Sequence, residues 1–590
     1  MPARVRLAFG RWGPVLPVVA LVAALGLPAL PSGEHALPGP GSSGALGASG
    51  GQGGTVADAL SGLVVLCAAV RAVRLARRPL TRTAAVVLGL PVVGFAVAAT
   101  GAPDIAGGLA GLARYLQVFV LVPAAVLLLI RDRAQLRLVA WAFVALALWE
   151  GGLGVVQYAT GTGASYMGSD VRAVGTFGPG DVMGMATTVA YGMVCAVGMA
   201  LGVGEGARVR ARGAAGAGRS PWGRQVSRKH LADSAHRTDS GHQAGSAHPA
   251  GSGRQASWGR QVHSERKSSW GRERVAALVC AVLLVVPLAV SFSRGAWIAT
   301  VVACAAQLLL TGLRRFIVVA AALAASLAVL VGGVGVGSSM LEQRLTSISH
   351  VADAPDQSVV DRYTMWSAAL GMWREHPLTG VGMKGFPAYR DSHASLALSS
   401  GSDTEGAGAA FRRQPLLSPH NMYLLVLGEQ GLLGIVGLGG SWAALLVCGV
   451  SRTVVARRRA SRPSRLAWTP LRGRTGAGRP AVGAPAVGAP AGERGARPAS
   501  AAGSALDCGL VACGLLIWQL MDFAYADIGG PSTVLTAVVL GVAAWWGVGA
   551  RALGAAGAER NSRTSGAGGQ GGVRPASPAS GKAARAGAGR

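Results

Sequence analysis

Residues 422–450 read MYLLVLGEQGLLGIVGLGGSWAALLVCGV. The only charged side chain of this stretch is Glu429, and the stretch is longer than the ~20 apolar residues that a helix needs to cross a bilayer. We therefore predict a transmembrane helix here. His420 and Asn421 come directly before it, behind Pro419, so their side chains are expected at the boundary between membrane and water.

Similar apolar runs recur along the 590-residue chain, of which 51% is hydrophobic and only 14% charged. A soluble chain of this length would form several domains with charged surfaces. This composition instead predicts an all-α polytopic membrane protein with about 12 transmembrane helices and one large extracytoplasmic loop. The candidate spans are 14–31, 56–73, 83–100, 110–130, 135–157, 181–203, 275–291, 295–311, 315–335, 422–450, 506–525 and 531–550.

The distribution of arginine predicts the orientation. Arg4, Arg6 and Arg11 precede the first span, whereas residues 32–55 contain no Lys or Arg. Strongly basic connections then fall on one side, as the positive-inside rule requires. With twelve spans, both termini are predicted in the cytoplasm and the protein in the plasma membrane. The first span could alternatively be a cleaved signal peptide, which would leave the downstream orientation unchanged.

Three polar segments interrupt or follow the apolar runs, and we predict that they are disordered because they cannot bury a core. The predicted organisation is 1–204 with transmembrane helices 1–6, 205–274 as a disordered basic cytoplasmic insert, 275–335 with helices 7–9, 336–421 as the large extracytoplasmic loop, 422–450 as helix 10, 451–505 as a disordered basic cytoplasmic loop, 506–550 with helices 11 and 12, and 551–590 as a disordered cytoplasmic tail.

The formal net charge of +29 introduces nucleic-acid binding as an alternative. Trp-Gly-Arg units at 222–224, 258–260 and 270–272 place aromatic rings beside arginine, and such pairs can stack on bases. The basic residues nevertheless cluster in the predicted cytoplasmic segments, which favours the positive-inside explanation, and we predict no nucleic-acid partner.

The seven cysteines lie in or beside apolar segments without a CxxC pair, which favours packing over disulfides or zinc.

The predicted outer side carries few arginines, and three of them are candidates for binding an anion. Arg172 lies between spans five and six, Arg294 in the tight turn between spans seven and eight, and Arg362 in the large loop. An arginine fixed in such a turn can direct its guanidinium bidentately at a phosphate. In the alternative interpretations, Arg172 snorkels to lipid phosphates and Arg362 pairs with Asp361.

His420 is the candidate general base, because histidine exchanges a proton near neutral pH; a structural role at the helix start is the alternative. Asn421 is a candidate helix cap and Tyr423 a candidate interface aromatic. Glu429 should face the bundle interior, where it either orients other groups or forms a structural ion pair. Our candidates for substrate binding are Arg362, Asn421, Tyr423 and Glu429.

The segment His376-Pro377-Leu378-Thr379-Gly380-Val381-Gly382 predicts a helix stop and a turn. Proline disfavours helix in the residue before it, and glycine permits a tight backbone. A structural role is therefore favoured over chemistry for His376.

Several pieces of sequence, taken in order, resemble the O-antigen ligase and Wzy-type polymerase superfamily of bacterial membrane glycosyltransferases. The chain departs from the family pattern at Pro179-Gly180-Asp181, where the family often has Pro-Asn. The resemblance is strongest from about 170 to 440. Its pieces are Arg172-Ala173-Val174-Gly175-Thr176-Phe177, Ser293-Arg294-Gly295, Arg362 with Trp366 and the 376–382 segment, and His420-Asn421-Met422-Tyr423-Leu424 with Glu429-Gln430-Gly431-Leu432-Leu433-Gly434.

This resemblance implies a GT-C-like enzyme that transfers or polymerises a glycan from an undecaprenyl-diphosphate carrier onto an acceptor hydroxyl at the outer face, for assembly of cell-surface polysaccharide or exopolysaccharide. It implies that Arg172 and Arg294 hold the diphosphate, that His420 activates the hydroxyl and that Arg362 assists. The implied displacement is inverting and uses no metal or other cofactor. The implied partners are the undecaprenyl-diphosphate-linked oligosaccharide donor, a glycan, lipid or protein hydroxyl acceptor, and membrane lipids.

Two other classes of protein compete with this interpretation. A polysaccharide or lipid-linked-glycan flippase would also be polytopic, but transporters tend to contain internal repeats and interrupted helices, and the sequence shows no half-to-half repeat. A scaffold or sensor would leave the outer arginines unexplained. Ligases, polymerases and protein O-glycosyltransferases share the motifs above, so all three stay open at this point.

Overall fold

Within the residues that it describes, the computed structural model is helical apart from one short hairpin. The Trp-Gly-Arg units before residue 271, the tail 551–590 and much of the predicted outer and cytoplasmic loops lie outside those residues. The described residues are 12–27, 56–74, 80–166, 170–177, 181, 183–217, 271–333, 357–394, 417–461 and 506–549.

The described helices follow one another along the chain, and several pairs, such as α4 and α5, are joined by short connections. In the hairpin, β1 (Ala164–Tyr166) pairs antiparallel with β2 (Asp170–Arg172). The helices are α1 (Leu16–Ala24), α2 (Val56–Arg74), α3 (Arg82–Thr100), α4 (Ile105–Leu129), α5 (Arg133–Thr160), α6 (Gly184–Ala217), α7 (Gly271–Val290), α8 (Arg294–Thr311), α9 (Leu313–Gly333), α10 (Gln357–Glu375), α11 (Phe386–His393), α12 (Met422–Ser461), α13 (Leu506–Asp522) and α14 (Thr533–Gly549).

Eight of these helices, α2–α8 and α12, are long and apolar enough to cross a membrane, so the chain is a multi-pass membrane protein. The other four predicted spans also coincide with helices, namely α1, α9, α13 and α14. Twelve crossings therefore stay a prediction. Two further helices, α10 and α11, lie within the segment that the sequence assigns to the large outer loop.

Two helices extend beyond their predicted ends. The sequence places boundaries at 204 and 450, but α6 continues to Ala217 and α12 to Ser461. Both extensions are rich in alanine and arginine, which are strong helix formers. Intrahelical hydrogen bonding can therefore continue after the apolar run has ended.

Several helices begin at a polar side chain that accepts a hydrogen bond from the first turn. Asp104 accepts from Gly107 N at 2.7 Å at the start of α4, and Asp132 accepts from Gln135 N at 3.0 Å at the start of α5. Such caps satisfy N–H groups that have no partner within the helix. They explain why the connections between these spans are short and turn sharply.

The centre of the bundle is formed by α6, α13 and α14. Every residue of α14 is buried, as expected for a helix that is apolar on all sides. Aromatic rings pack between the helices: Trp518 lies 4.8 Å from Tyr191 and Trp442 lies 4.9 Å from Phe523, measured between ring centroids. By contrast, α7 and α8 expose many valine, leucine and isoleucine side chains, which suits helices that face lipid.

An ion-pair cluster marks the end of the bundle at which α5 begins. Arg137 of α5 lies 3.5 Å from Asp507 of α13, measured from Nε to Oδ2, and it also pairs with Glu273 of α7. The opposite end, where α5 finishes, holds the residues that the sequence assigns to the outer face. The predicted alternation of the connections between the cytoplasmic side and the outer side is thus consistent with the packing of the helices.

The long helix α12 is broken at Gly431, where φ is 61° and ψ is −157°. The segment 376–383 fills the gap: the carbonyls of Pro377 and Leu378 accept from Leu432 N (2.9 Å) and Leu433 N (3.1 Å). Gly380 N donates to the carbonyl of His376 at 2.9 Å within this segment, which is the predicted turn. The backbone groups freed by the break are therefore satisfied by protein, as a helix in a membrane requires.

We expect Gly431→Ala to lower the thermal stability of the purified protein in detergent. Its backbone conformation is essentially restricted to glycine, and holding another residue there costs about 1–3 kcal/mol. A Cβ would also lie 2.5 Å from the carbonyl carbon of Leu378. A thermal unfolding scan measures the effect. Gly439→Ala on the same helix is the matched control, because a Cβ there meets nothing within 4 Å; equal stability of the two variants would contradict the role of the break.

Candidate functional site

The connection between α13 and α14, here called the 523–532 loop, joins several helix ends. The backbone N–H of Met422, at the start of α12, donates to the carbonyls of Phe523 (2.8 Å) and Ala526 (3.1 Å). The first turn of α12 is thus fixed directly to this loop. His420 lies two residues before Met422, so its position depends on the same contacts.

Asn421 caps α12, as the sequence predicts. Its Oδ1 accepts from Leu424 N at 3.1 Å, and its Nδ2 donates to the carbonyl of Ala524 at 3.1 Å. The hydroxyl of Tyr423 donates to the carbonyl of Leu520 at 2.7 Å. Both predicted substrate-binding residues therefore use their polar atoms to hold α12 against the end of α13.

His420 adopts a left-handed backbone conformation, with φ of 47°, which is uncommon for a residue other than glycine. Contacts on both sides hold it there. Trp366 Nε1 donates to the carbonyl of Pro419 at 2.9 Å, and Asn421 is fixed by its own side-chain bonds. Such outliers persist only where the surroundings determine them, and they concentrate at functional sites.

The charge state of His420 is set by its surroundings. The residue as a whole is accessible to solvent, yet protein surrounds the imidazole closely, and this burial lowers the pKa of His420. The carboxylate of Asp527 raises that pKa and the guanidinium of Arg362 lowers it, with a net decrease. The imidazole is therefore neutral at neutral pH, which is the state that can accept a proton.

Arg294 is the first residue of α8 and its side chain is exposed. The preceding Ser293 caps the helix, with its Oγ accepting from Ala296 N at 3.3 Å. The next residue, Gly295, packs against the 523–532 loop, since a Cβ at this position would lie 3.4 Å from the Cβ of Tyr525. The loop thus joins the backbone that carries Arg294 to the backbone that carries His420.

Arg172 ends β2, and the turn that follows it is held by α5. Gln157 Oε1 accepts from Gly175 N at 2.8 Å, and Glu150 Oε1 accepts from the Thr176 hydroxyl at 2.7 Å. A half-buried and a buried polar side chain of a transmembrane helix, Gln157 and Glu150, thus bind the Gly175-Thr176 part of the motif. The structure gives the backbone position of Arg172, and its role in binding stays a prediction.

The C-terminal end of α5 also contacts the turn between α7 and α8. The rings of Tyr158 and Phe292 lie 5.9 Å apart, and Ser293 Oγ lies 3.8 Å from the Met183 sulfur. These contacts place the backbone of Arg172 and that of Arg294 at the same end of the bundle. This is the end at which His420 lies.

Glu429 is buried, with only 2% of its surface exposed. Its Oε1 accepts from Phe386 N at 3.2 Å, at the start of α11. A carboxylate is favourable at a helix N-terminus. Of the two roles that the sequence leaves open, these contacts match the structural one: Glu429 fixes α11, from the predicted outer loop, to α12.

Sequence reasoning missed two carboxylates around the 523–532 loop. Asp181 Oδ2 accepts from Ser532 N at 2.9 Å, and burial raises the pKa of Asp181 to about 6. Asp527 is the acidic group that acts on His420. A signal for Asp527 was present, because Asp522-Phe523-Ala524-Tyr525-Ala526-Asp527 holds two carboxylates between two apolar runs. Within the described part of the chain, no group of three or more His, Cys, Asp or Glu side chains is arranged to hold a metal ion.

Residues 279–439 match the family model described as O-antigen ligase. The match contains Arg294, Arg362 and His420 and leaves Arg172 and the 523–532 loop outside it. The predicted resemblance to the O-antigen ligase and Wzy-type superfamily is confirmed over this stretch, which supports a membrane glycan ligase or polymerase in general terms. A comparison with curated proteins gave no match.

Proposed function

We propose that the protein is an inverting membrane glycosyltransferase that moves a glycan from an undecaprenyl-diphosphate carrier onto an acceptor hydroxyl at the outer face of the plasma membrane. In this proposal His420 is the general base and Arg294 and Arg172 bind the diphosphate. Arg362 assists them. Asn421 and Tyr423 position His420, and the reaction draws on no metal.

The chemistry follows from the charges that develop during transfer. The acceptor oxygen attacks the anomeric carbon while the bond from that carbon to the diphosphate oxygen breaks. The hydroxyl proton passes to His420, and the electron pair of the broken bond stays on the diphosphate. Fixed guanidinium groups stabilise this growing negative charge, and a base within hydrogen-bond reach of the acceptor completes the displacement.

The observation that carries the proposal is the 523–532 loop. It binds Met422 and Asn421, next to the base, and packs against Gly295, next to the phosphate-binding arginine. A base and a cation on separate helices are thus held to one scaffold. Such preorganisation is what a displacement between two bound substrates needs.

The proposal is tested by giving the purified protein in detergent a lipid-diphosphate-linked oligosaccharide and sizing the products. We expect either a ladder of longer glycans, which identifies a polymerase, or transfer to an added second acceptor, which identifies a ligase. Release of one carrier diphosphate for each bond formed is expected in both cases. A protein that binds the donor but forms no glycosidic bond, and instead moves it across a vesicle membrane, would be a transporter.

A further inference from the structure

The helix α10, which the proposed function uses only through Arg362, carries an aromatic pair beside the base. One side of α10 is buried, with Met365, Ala368 and Met372 at most 1% exposed. On another side, Tyr363 is 61% exposed, and it neighbours the exposed Arg362 in sequence. The exposed Tyr363 ring has no role in the chemistry described above.

The two rings of this pair form a defined arrangement. Tyr363 and Trp366 lie edge to face, with ring centroids 5.4 Å apart and an angle of 89° between their planes. This is a favourable geometry for aromatic side chains. The edge of one ring supports the face of the other, so the exposed Tyr363 ring is held in a fixed orientation.

The pair is connected to His420 through the backbone. Trp366 Nε1 donates to the carbonyl of Pro419 at 2.9 Å, one residue before His420. The guanidinium of Arg362 acts electrostatically on the same imidazole. A molecule stacked on Tyr363 would therefore lie beside the base that has to reach its hydroxyl.

The chemistry of this surface fits a sugar ring. A pyranose has an apolar face of C–H groups and an edge of hydroxyls, so it stacks on an aromatic face while its hydroxyls meet polar groups. Binding sites commonly combine aromatic walls with a few placed polar groups. Tyr363 supplies the wall, and the exposed Arg362 supplies hydrogen-bond donors. The hydroxyl of Ser367, also exposed on α10, donates to the carbonyl of Thr364 at 2.7 Å, so it offers an acceptor to the sugar.

We propose that Tyr363 and Trp366 form an acceptor subsite in which a pyranose ring of a saccharide acceptor stacks before its hydroxyl is activated. This inference rests on the proposed function and adds the class of acceptor. It assigns a sugar hydroxyl, not a protein or simple lipid hydroxyl, as the attacking group.

The test uses the free oligosaccharide released by mild acid from the cell's own lipid-linked pool. Its binding to the full-length protein in detergent is followed by saturation-transfer NMR, and its KM as acceptor is measured at saturating donor. Tyr363→Ala is expected to raise this KM about three- to ten-fold and to weaken the NMR signal, whereas Tyr363→Phe keeps the ring and remains close to wild type. The donor KM is expected to stay unchanged in both variants.

Tyr389→Ala is the matched control, because Tyr389 is a partly exposed tyrosine on α11. The inference is overturned if Tyr363→Ala binds and uses the oligosaccharide like wild type, or if only a peptide or lipid hydroxyl is glycosylated. Failure of the proposed function has a different signature. In that case the oligosaccharide binds in a Tyr363-dependent way while no His420-dependent transfer occurs.

Discussion

Replacing His420 with alanine is expected to reduce glycan transfer by about 100- to 10,000-fold, the usual contribution of a general base. The loss should appear in kcat, because donor binding depends on the arginines. Initial rates of transfer from the lipid-linked donor, together with donor binding to the same preparation, measure this split. His376→Ala removes another exposed histidine of the predicted outer loop and serves as the control.

The pH profile gives a second measure of the same residue. Because burial lowers the pKa of His420, the neutral base persists to lower pH than free histidine would allow. Activity should therefore be lost as the pH falls through a value below that of free histidine. Asp527 raises this pKa and Arg362 lowers it, so Asp527→Asn should move the acid limb to lower pH and Arg362→Gln to higher pH. Shifts in the opposite directions, or full activity of His420→Ala, would refute His420 as the base.

The second large effect is expected at Arg294. Arg294→Ala should lower kcat/KM about 100- to 1,000-fold, which is the range found when one donor to a developing negative charge is removed. Arg294→Lys keeps the charge but loses the planar, bidentate donor set, so we expect only partial recovery. The measurement is the rate of carrier diphosphate release at several donor concentrations.

Arg374→Ala, at an exposed arginine of α10, controls for the general loss of positive charge at this end of the protein. Unaltered diphosphate release by Arg294→Ala would remove this residue from the mechanism. Recovery of full activity by the lysine variant would show that the site needs only a positive charge and not the planar, bidentate donor set of the guanidinium group.

Much of the helical framework follows from local sequence. Apolar runs of bilayer length predicted α2–α8 and α12 because a membrane selects composition and length together. The cap at Asn421 was also predictable, since a side-chain acceptor is needed wherever a helix begins. These features depend on residues close together in the chain.

The site was only partly predictable, because it depends on contacts between distant residues. Asn421 and Ala524 are 103 residues apart, and no local pattern identifies the 523–532 loop as the partner of α12. The break at Gly431 was missed for the same reason. It is stable only because the 376–383 segment supplies carbonyls to the interrupted helix, whereas the sequence of 422–450 by itself predicts one continuous helix.

The position of the 523–532 loop near the end of the sequence bears on how the protein is made. His420 and Arg294 are translated well before the loop that holds their helices together. The site consequently cannot assemble until α13 and α14 have been synthesised, because the groups that fix the first turn of α12 do not yet exist. A nascent chain halted after α12 would carry every proposed catalytic side chain and still lack an ordered active centre, so synthesis itself delays activity until the bundle is closed.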